Sequence, residues 1–165
     1  MKKYMALISA AVIILTSFSG CSSTYEKGMS PGHVANALGP KVIDYINNKD
    51  AESLKELYSE EVYNSYNLDD ELQLVFDFVG GNITSYSRIK LGSESESITE
   101  GKAVKNNFDV CIEDAKTDTG NIYLIVFSYI SVNNEQPNSV GMYRLSVYDN
   151  DDYNISASAG RVYKR

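Results

Sequence analysis

The apolar residues of this chain change their period once, at Gly80-Gly81, and that switch restricts the fold more than any other feature. Before it, apolar positions recur every three or four residues, as on one face of a helix. After it they alternate, as on a half-buried strand. Helices first and strands afterwards, joined by short turns, predict an α+β domain. The N-terminal helices should pack on one face of a curved antiparallel sheet.

The helical half divides at its own punctuation. Ser30-Pro31 suits a helix start, with Pro31 at the first helical position. Val34, Ala37, Leu38, Val42, Tyr45 and Ile46 then form one stripe. Pro40 interrupts it and should push Gly39 out of the α region, giving a kink or a fresh start. Asp50 can cap a second helix carrying Leu54, Leu57 and Tyr58. Ser59 or Glu60 opens a short turn with Val62 and Tyr63, and Asp69 or Asp70 caps a helix with Leu72, Val75, Phe76 and Val79. Gly80-Gly81 supplies a left-handed stop.

Beyond it the sequence predicts strands over 83–91, 103–113, 121–132 and 141–148, and a short last one over 160–163. Turns are expected at Gly92-Ser93, Glu100-Gly101, Asp118-Thr119-Gly120, 133–138 and 149–152. In the second strand Val104, Phe108, Val110 and Ile112 face one way, with Lys105, Asn107, Asp109 and Cys111 opposite. Tyr143, Leu145 and Val147 should oppose Met142, Arg144 and Ser146. The stretch 121–132 is apolar on both faces, which predicts a central strand covered on both sides. Its outer face should be covered by a second copy of the chain, as a homodimer, or by the segment 153–163.

The N-terminus carries a different signal. Lys2 and Lys3 precede a mostly apolar run, Met5 to Phe18, too short to span a bilayer of about 30 Å. Ser19 and Gly20 suit a cleavage site. Phe18-Ser19-Gly20-Cys21 resembles the lipobox of bacterial lipoproteins, with Phe18 where Leu is commonest. The resemblance implies a signal peptide over residues 1–20 and lipidation of Cys21. It also implies a cell-membrane location on the extracytoplasmic face, held by the lipidated Cys21. Residues 21–32 read as a tether and 33–165 as a single α+β domain.

Loss of residues 1–20 would leave 145 of the 165 residues and move the net charge from −7 to about −9. An acidic surface repels phosphate backbones, so no nucleic-acid partner is expected. With Cys21 lipidated, Cys111 has no disulfide partner and reads as a half-buried strand residue. His33, the only histidine, stands at the first helix's start and precludes a histidine metal cluster. The acidic turn Asp149 to Asp152 lacks the glycine and distal glutamate of a calcium loop. No catalytic residue, metal ligand or cofactor is expected.

Three stretches carry family resemblances. Residues 46–59, Ile46-Asn47-Asn48-Lys49-Asp50 onward, and the order of helices, Gly80-Gly81 and strands resemble nuclear-transport-factor-2-like (cystatin-like cone) domains. Val79-Gly80-Gly81-Asn82-Ile83-Thr84-Ser85-Tyr86 and Val140-Gly141-Met142-Tyr143-Arg144-Leu145 resemble an uncharacterised Gram-positive lipoprotein family, a domain of unknown function. The cone resemblance implies a space between helices and sheet in which relatives such as ketosteroid isomerase place a general base. Asp109, the nearest carboxylate, alternates away from that space. The expected role is therefore an extracytoplasmic binding or interaction module for a small molecule, peptide or envelope protein. Tyr45, Tyr86 and Tyr143 are its candidate ligand-lining residues. A cone-cavity isomerase or hydrolase and a structural oligomerising envelope protein are the alternatives.

Overall fold

The computed structural model describes residues 30–64 and 67–160. Cys21, the expected signal peptide over residues 1–20 and most of the expected tether over 21–32 lie outside them. Among the described residues four helices precede six strands: α1 (Pro31–Asn48), α2 (Ala51–Lys55), α3 (Glu60–Tyr63), α4 (Leu68–Val79), β1 (Ile83–Ser85), β2 (Arg88–Thr99), β3 (Lys102–Thr117), β4 (Ile122–Asn133), β5 (Gly141–Asp149) and β6 (Ser156–Ala159). A 3-10 turn, Pro137–Ser139, interrupts the β4–β5 connection. The sheet is open and antiparallel. β1 and β2 lie in succession along one edge of β3, and β4, β5 and β6 follow in order. No helix is long and apolar enough to cross a membrane among the described residues.

The first helix continues through Pro40, so neither a fresh start nor an extended Gly39 occurs. Glycine explains this. The helix-breaking clash before a proline involves the preceding Cβ, and Gly39 has none. The missing side chain serves packing as well, because a Cβ on Gly39 would lie 2.6 Å from Ile89 Cδ1. The helix thus reaches the sheet at the point where its hydrogen bonding is weakest. Lys49, in the left-handed region at φ 51°, ends it.

Asp50 and Ser59 cap α2 and α3, accepting from the Ser53 and Val62 amides. The start of α4 differs from expectation. Asn67 holds the N-cap position, and Asp69, Asp70 and Glu71 fill the first turn, where the helix dipole favours negative charge. Lys55 ties this turn back to α2 through a 2.8 Å ion pair with Asp69.

The strands depart from the sequence pattern wherever a bulge intervenes. The expected strand over 83–91 breaks at Tyr86-Ser87. Gly92-Ser93, expected as a turn, is instead a bulge inside β2, where the register with β3 shifts between Leu91 and Glu94. β3 continues past Glu113 because Asp114, at φ 52°, forms another bulge. In β5 a register shift at Tyr143 turns Met142, expected opposite Leu145, into the core, where it is fully buried against Tyr129. A strand not expected from the sequence forms at Ser156–Ala159, and most of the strand expected over 160–163 lies outside the described residues. β6 extends the sheet beside β5, so residues 153–160 do not cover the outer face.

The helices pack on one sheet face. Phe108, Val110, Ile112, Ile125, Phe127, Met142, Leu145 and Val147 meet Leu38, Val42, Leu54, Leu72, Val75 and Phe76 in one continuous core. Burial of each such side chain contributes roughly 1.5–3 kcal/mol before the cost of ordering it. Of the central strand β4, only this inner face lies under helices. Leu124 and Val126 on the outer face are half-buried, and Ile122 is exposed.

Candidate functional site

The outer face is built by the sheet register. Pairing aligns residues of successive strands into rows perpendicular to the strands. One row runs Arg88, Glu113, Leu124, Tyr148, Ser156, allowing for the bulge after Glu113. The next runs Lys90, Cys111, Val126, Ser146, Ser158. A third runs from the Gly92-Ser93 bulge through Asp109 and Ser128 to Arg144. Each row alternates outward with an inward row of core residues, because strand side chains point to opposite faces in turn.

The third row is a hydrogen-bonded ladder across four strands. Ser93 Oγ donates to Asp109 Oδ2 at 2.5 Å, and Ser128 Oγ donates to Asp109 Oδ1 at 2.5 Å. Arg144 Nη2 donates to Ser128 Oγ at 3.2 Å, while its buried Nε has no acceptor. Ser128 is fully buried beneath this network. Asp109 and Arg144 are thereby joined through a hydroxyl rather than directly. The bulge at Gly92-Ser93 makes the ladder possible, since it turns Ser93 to the same face as Asp109. A bulge of this kind has no period to announce it, so sequence alternation could not place Ser93 here.

The neighbouring row has its own electrostatics. Glu113 pairs with Lys90 and with Arg88, the latter at 2.5 Å. The Lys90 and Arg88 hydrogen bonds hold the Glu113 carboxyl below its ordinary value. Burial pushes the Cys111 thiol up, and the Asp109 carboxylate adds to that push while Lys90 opposes it. Cys111 is a half-buried strand residue, as expected, and its thiol is held in the protonated form.

The three candidate tyrosines are dispersed. Tyr45 on α1 and Tyr143 at the β5 bulge are half-buried against the core. Tyr86 is exposed at the break between β1 and β2. β3 and β4 separate Tyr86 from Tyr143 in the sheet. His33 is exposed in the first turn of α1.

A second concavity lies at one end of the domain. Glu60 and Glu61 of α3 and Asn64, its C-cap, face 135–139 of the β4–β5 connection across an open groove of about 520 Å³. Ser139 is buried there, held by Asn133 Nδ2 at 2.8 Å and by Gln136 O at 2.7 Å. No group of three or more His, Cys, Asp or Glu residues is placed to hold a metal ion among the described residues.

This ladder and most of the described elements fall within a stretch that a family model matches, residues 41–151. The chain belongs to the domain-of-unknown-function family DUF5104. The matched stretch of DUF5104 begins just after Pro40 and ends in the β5–β6 turn. It holds Ser93, Asp109, Ser128 and Arg144, and it excludes β6 and residues 1–40. A comparison with curated proteins finds no match.

Proposed function

We propose that this DUF5104 protein is a non-catalytic binding or interaction module, anchored through a lipidated Cys21 to the extracytoplasmic face of the cell membrane, with a fold of the nuclear-transport-factor-2-like cone type. The observation that carries the non-catalytic reading is the filled space between helices and sheet. Phe108, Val110, Ile112, Ile125 and Phe127 are at most 1 % exposed there. A cone-cavity isomerase or hydrolase needs a general base and charge-stabilising donors inside that space. The carboxylate nearest to the expected position, Asp109, stands on the opposite face of the sheet.

The outer face suits engagement instead. It presents Leu124, Val126 and Tyr148 between the Arg88–Glu113–Lys90 cluster and the serines of β6, an apolar centre with a polar margin. A photoreactive amino acid at Val126 in intact cells should give a covalent adduct, and one at the exposed Glu96 of β2 should not. Absence of any adduct at Val126 would overturn this reading. Mass spectrometry of the mature N-terminus should find a diacylglyceryl group on Cys21, and an unmodified Cys21 would remove the anchor.

A further inference from the structure

We infer that the partner of the outer face is a second copy of this chain, packed sheet to sheet about a two-fold axis running along β4. This rests on the outer face being the engagement surface and names what engages it. Asp109, Ser128 and Arg144 occupy one row on β3, β4 and β5. The acid and the base therefore flank β4 at equal distances, about 4.8 Å on each side. A two-fold axis in the interface along β4 lays β3 of one copy over β5 of the other, with no shift along the strands. Asp109 then meets Arg144 of the second copy, and Arg144 meets its Asp109.

The same operation places apolar groups on the axis. Leu124 falls on Leu124 and Val126 on Val126, while Cys111 meets Ser146 and Glu113 meets Tyr148. No row sets like charges against each other. The other in-plane choice, an axis across the strands through Val126, sets Asp109 over Glu113 of the second copy and brings carboxylates together. Charge complementarity thus selects the axis along β4. Face-to-face sheets stand about 10 Å apart, a gap that an aspartate and an arginine reaching from opposite sides can close.

Area and attachment agree with this axis. Five strands about 4.8 Å apart and the three rows about 6.7 Å apart cover about 480 Å² on each copy. The total, about 1,000 Å², is that of a weak, reversible pair rather than a permanent one. α1 runs in the direction of β3, since Gly39 lies on Ile89 and Asn47 bonds Ile83 at the far end of β3. Ser30 therefore lies towards the end where β3 starts. An axis along the strands keeps both Ser30 residues at that end. With at most about 30 Å of chain from Ser30 to Cys21, both anchors reach one bilayer.

The test uses the full acylated chain in density-matched detergent, with mass read by sedimentation equilibrium at about 10 μM and folding read by circular dichroism. Wild type should sediment as two copies. Asp109→Arg alone and Arg144→Asp alone should each sediment as one copy, because each sets like charges against each other twice. An equimolar mixture of the two should recover two copies, since the mixed pair restores both contacts. A role for these residues within one chain predicts no recovery on mixing. A single-copy wild type overturns the proposal, as does a mixture of folded variants that stays single. Val126→Asn covers the case in which charge reversal costs folding: it should also give one copy, and an unchanged two-copy mass overturns the axis. An adduct at Val126 with an unlike protein, beside a single-copy wild type, would leave the binding reading standing and remove only the self-association.

Discussion

Asn47 and Ile83 exchange a reciprocal pair of hydrogen bonds. Asn47 Nδ2 donates to Ile83 O at 2.9 Å, and the Ile83 amide donates to Asn47 Oδ1 at 2.7 Å. The last turn of α1 is thereby paired to β1 as a strand neighbour would be. Asn47→Leu removes both bonds and leaves two backbone groups of a buried residue without partners. We expect a loss of about 1–3 kcal/mol in urea unfolding. A loss below about 0.5 kcal/mol would mean that water replaces the amide at no cost.

Two glycines that both touch neighbouring elements should respond differently to alanine. Gly141 has φ +134°, and an added Cβ would lie 2.7 Å from Ser59 N and 2.8 Å from Ser59 Cα. Both are backbone atoms of the segment that pairs with Met142, so neither can step aside. Gly39 would instead press on the end of the Ile89 side chain, which can change rotamer. Gly141→Ala should lower the melting temperature by more than Gly39→Ala. The reverse order would refute the close approach at Ser59.

Acid should weaken this fold through two carboxylates. Hydrogen bonds to Lys90 and Arg88 lower the folded pKa of Glu113 from 4.5. The bonds from Ser53 lower that of Asp50 from 3.8. A lowered folded pKa means that the unfolded chain takes up protons first. The stability that these groups contribute is present above about pH 4.5 and is lost as the pH falls through their folded values. Glu113→Gln should flatten the stability profile below pH 4.5 while leaving the slope above it unchanged.

Alkali should act through Tyr58. Its ring is buried, and its hydroxyl donates to Ala159 O at 3.2 Å. Burial pushes the phenol well above 10.0, with the Glu71 carboxylate adding to the effect. The unfolded chain then releases its proton first, so this stability is present below pH 10 and is lost above it. Tyr58→Phe should cost about 1 kcal/mol at neutral pH. It should also remove part of the decline above pH 10, as followed by chemical denaturation.

Cys111 reports the charges of the outer face. Asp109→Asn should lower the pH midpoint of its alkylation, and Lys90→Met should raise it, since the two groups push the thiol in opposite directions. Burial is the larger influence, so each midpoint should move by less than about one pH unit. Midpoints that fail to move in either variant would show that neither group acts on the thiol.

Several features of the fold were legible in sequence because they are local. The 3.6-residue stripe of Val34, Leu38, Val42 and Ile46, the caps at Asp50 and Ser59, and the Gly80 stop depend on contacts within a few residues. The alternation of Phe108, Val110 and Ile112 correctly sets Asp109 on the opposite face. Errors arose where a distant contact overrode local preference. Gly39 and Pro40 stay helical where the missing Cβ lets α1 reach Ile89. Met142 enters the core because the β5 bulge realigns it with Tyr129.

By itself the sequence determined the class of this protein: helices, then strands, with a core between them, since periodicity dictates which side chains must leave water together. Tertiary structure alone decided the outer face. The Ser93–Asp109–Ser128–Arg144 ladder joins residues 16 to 19 positions apart in the chain, through the registers of three strand pairs. Register is fixed by turns and bulges acting together across the whole sheet, and a one-residue slip in any pair would send its side chains to the other face.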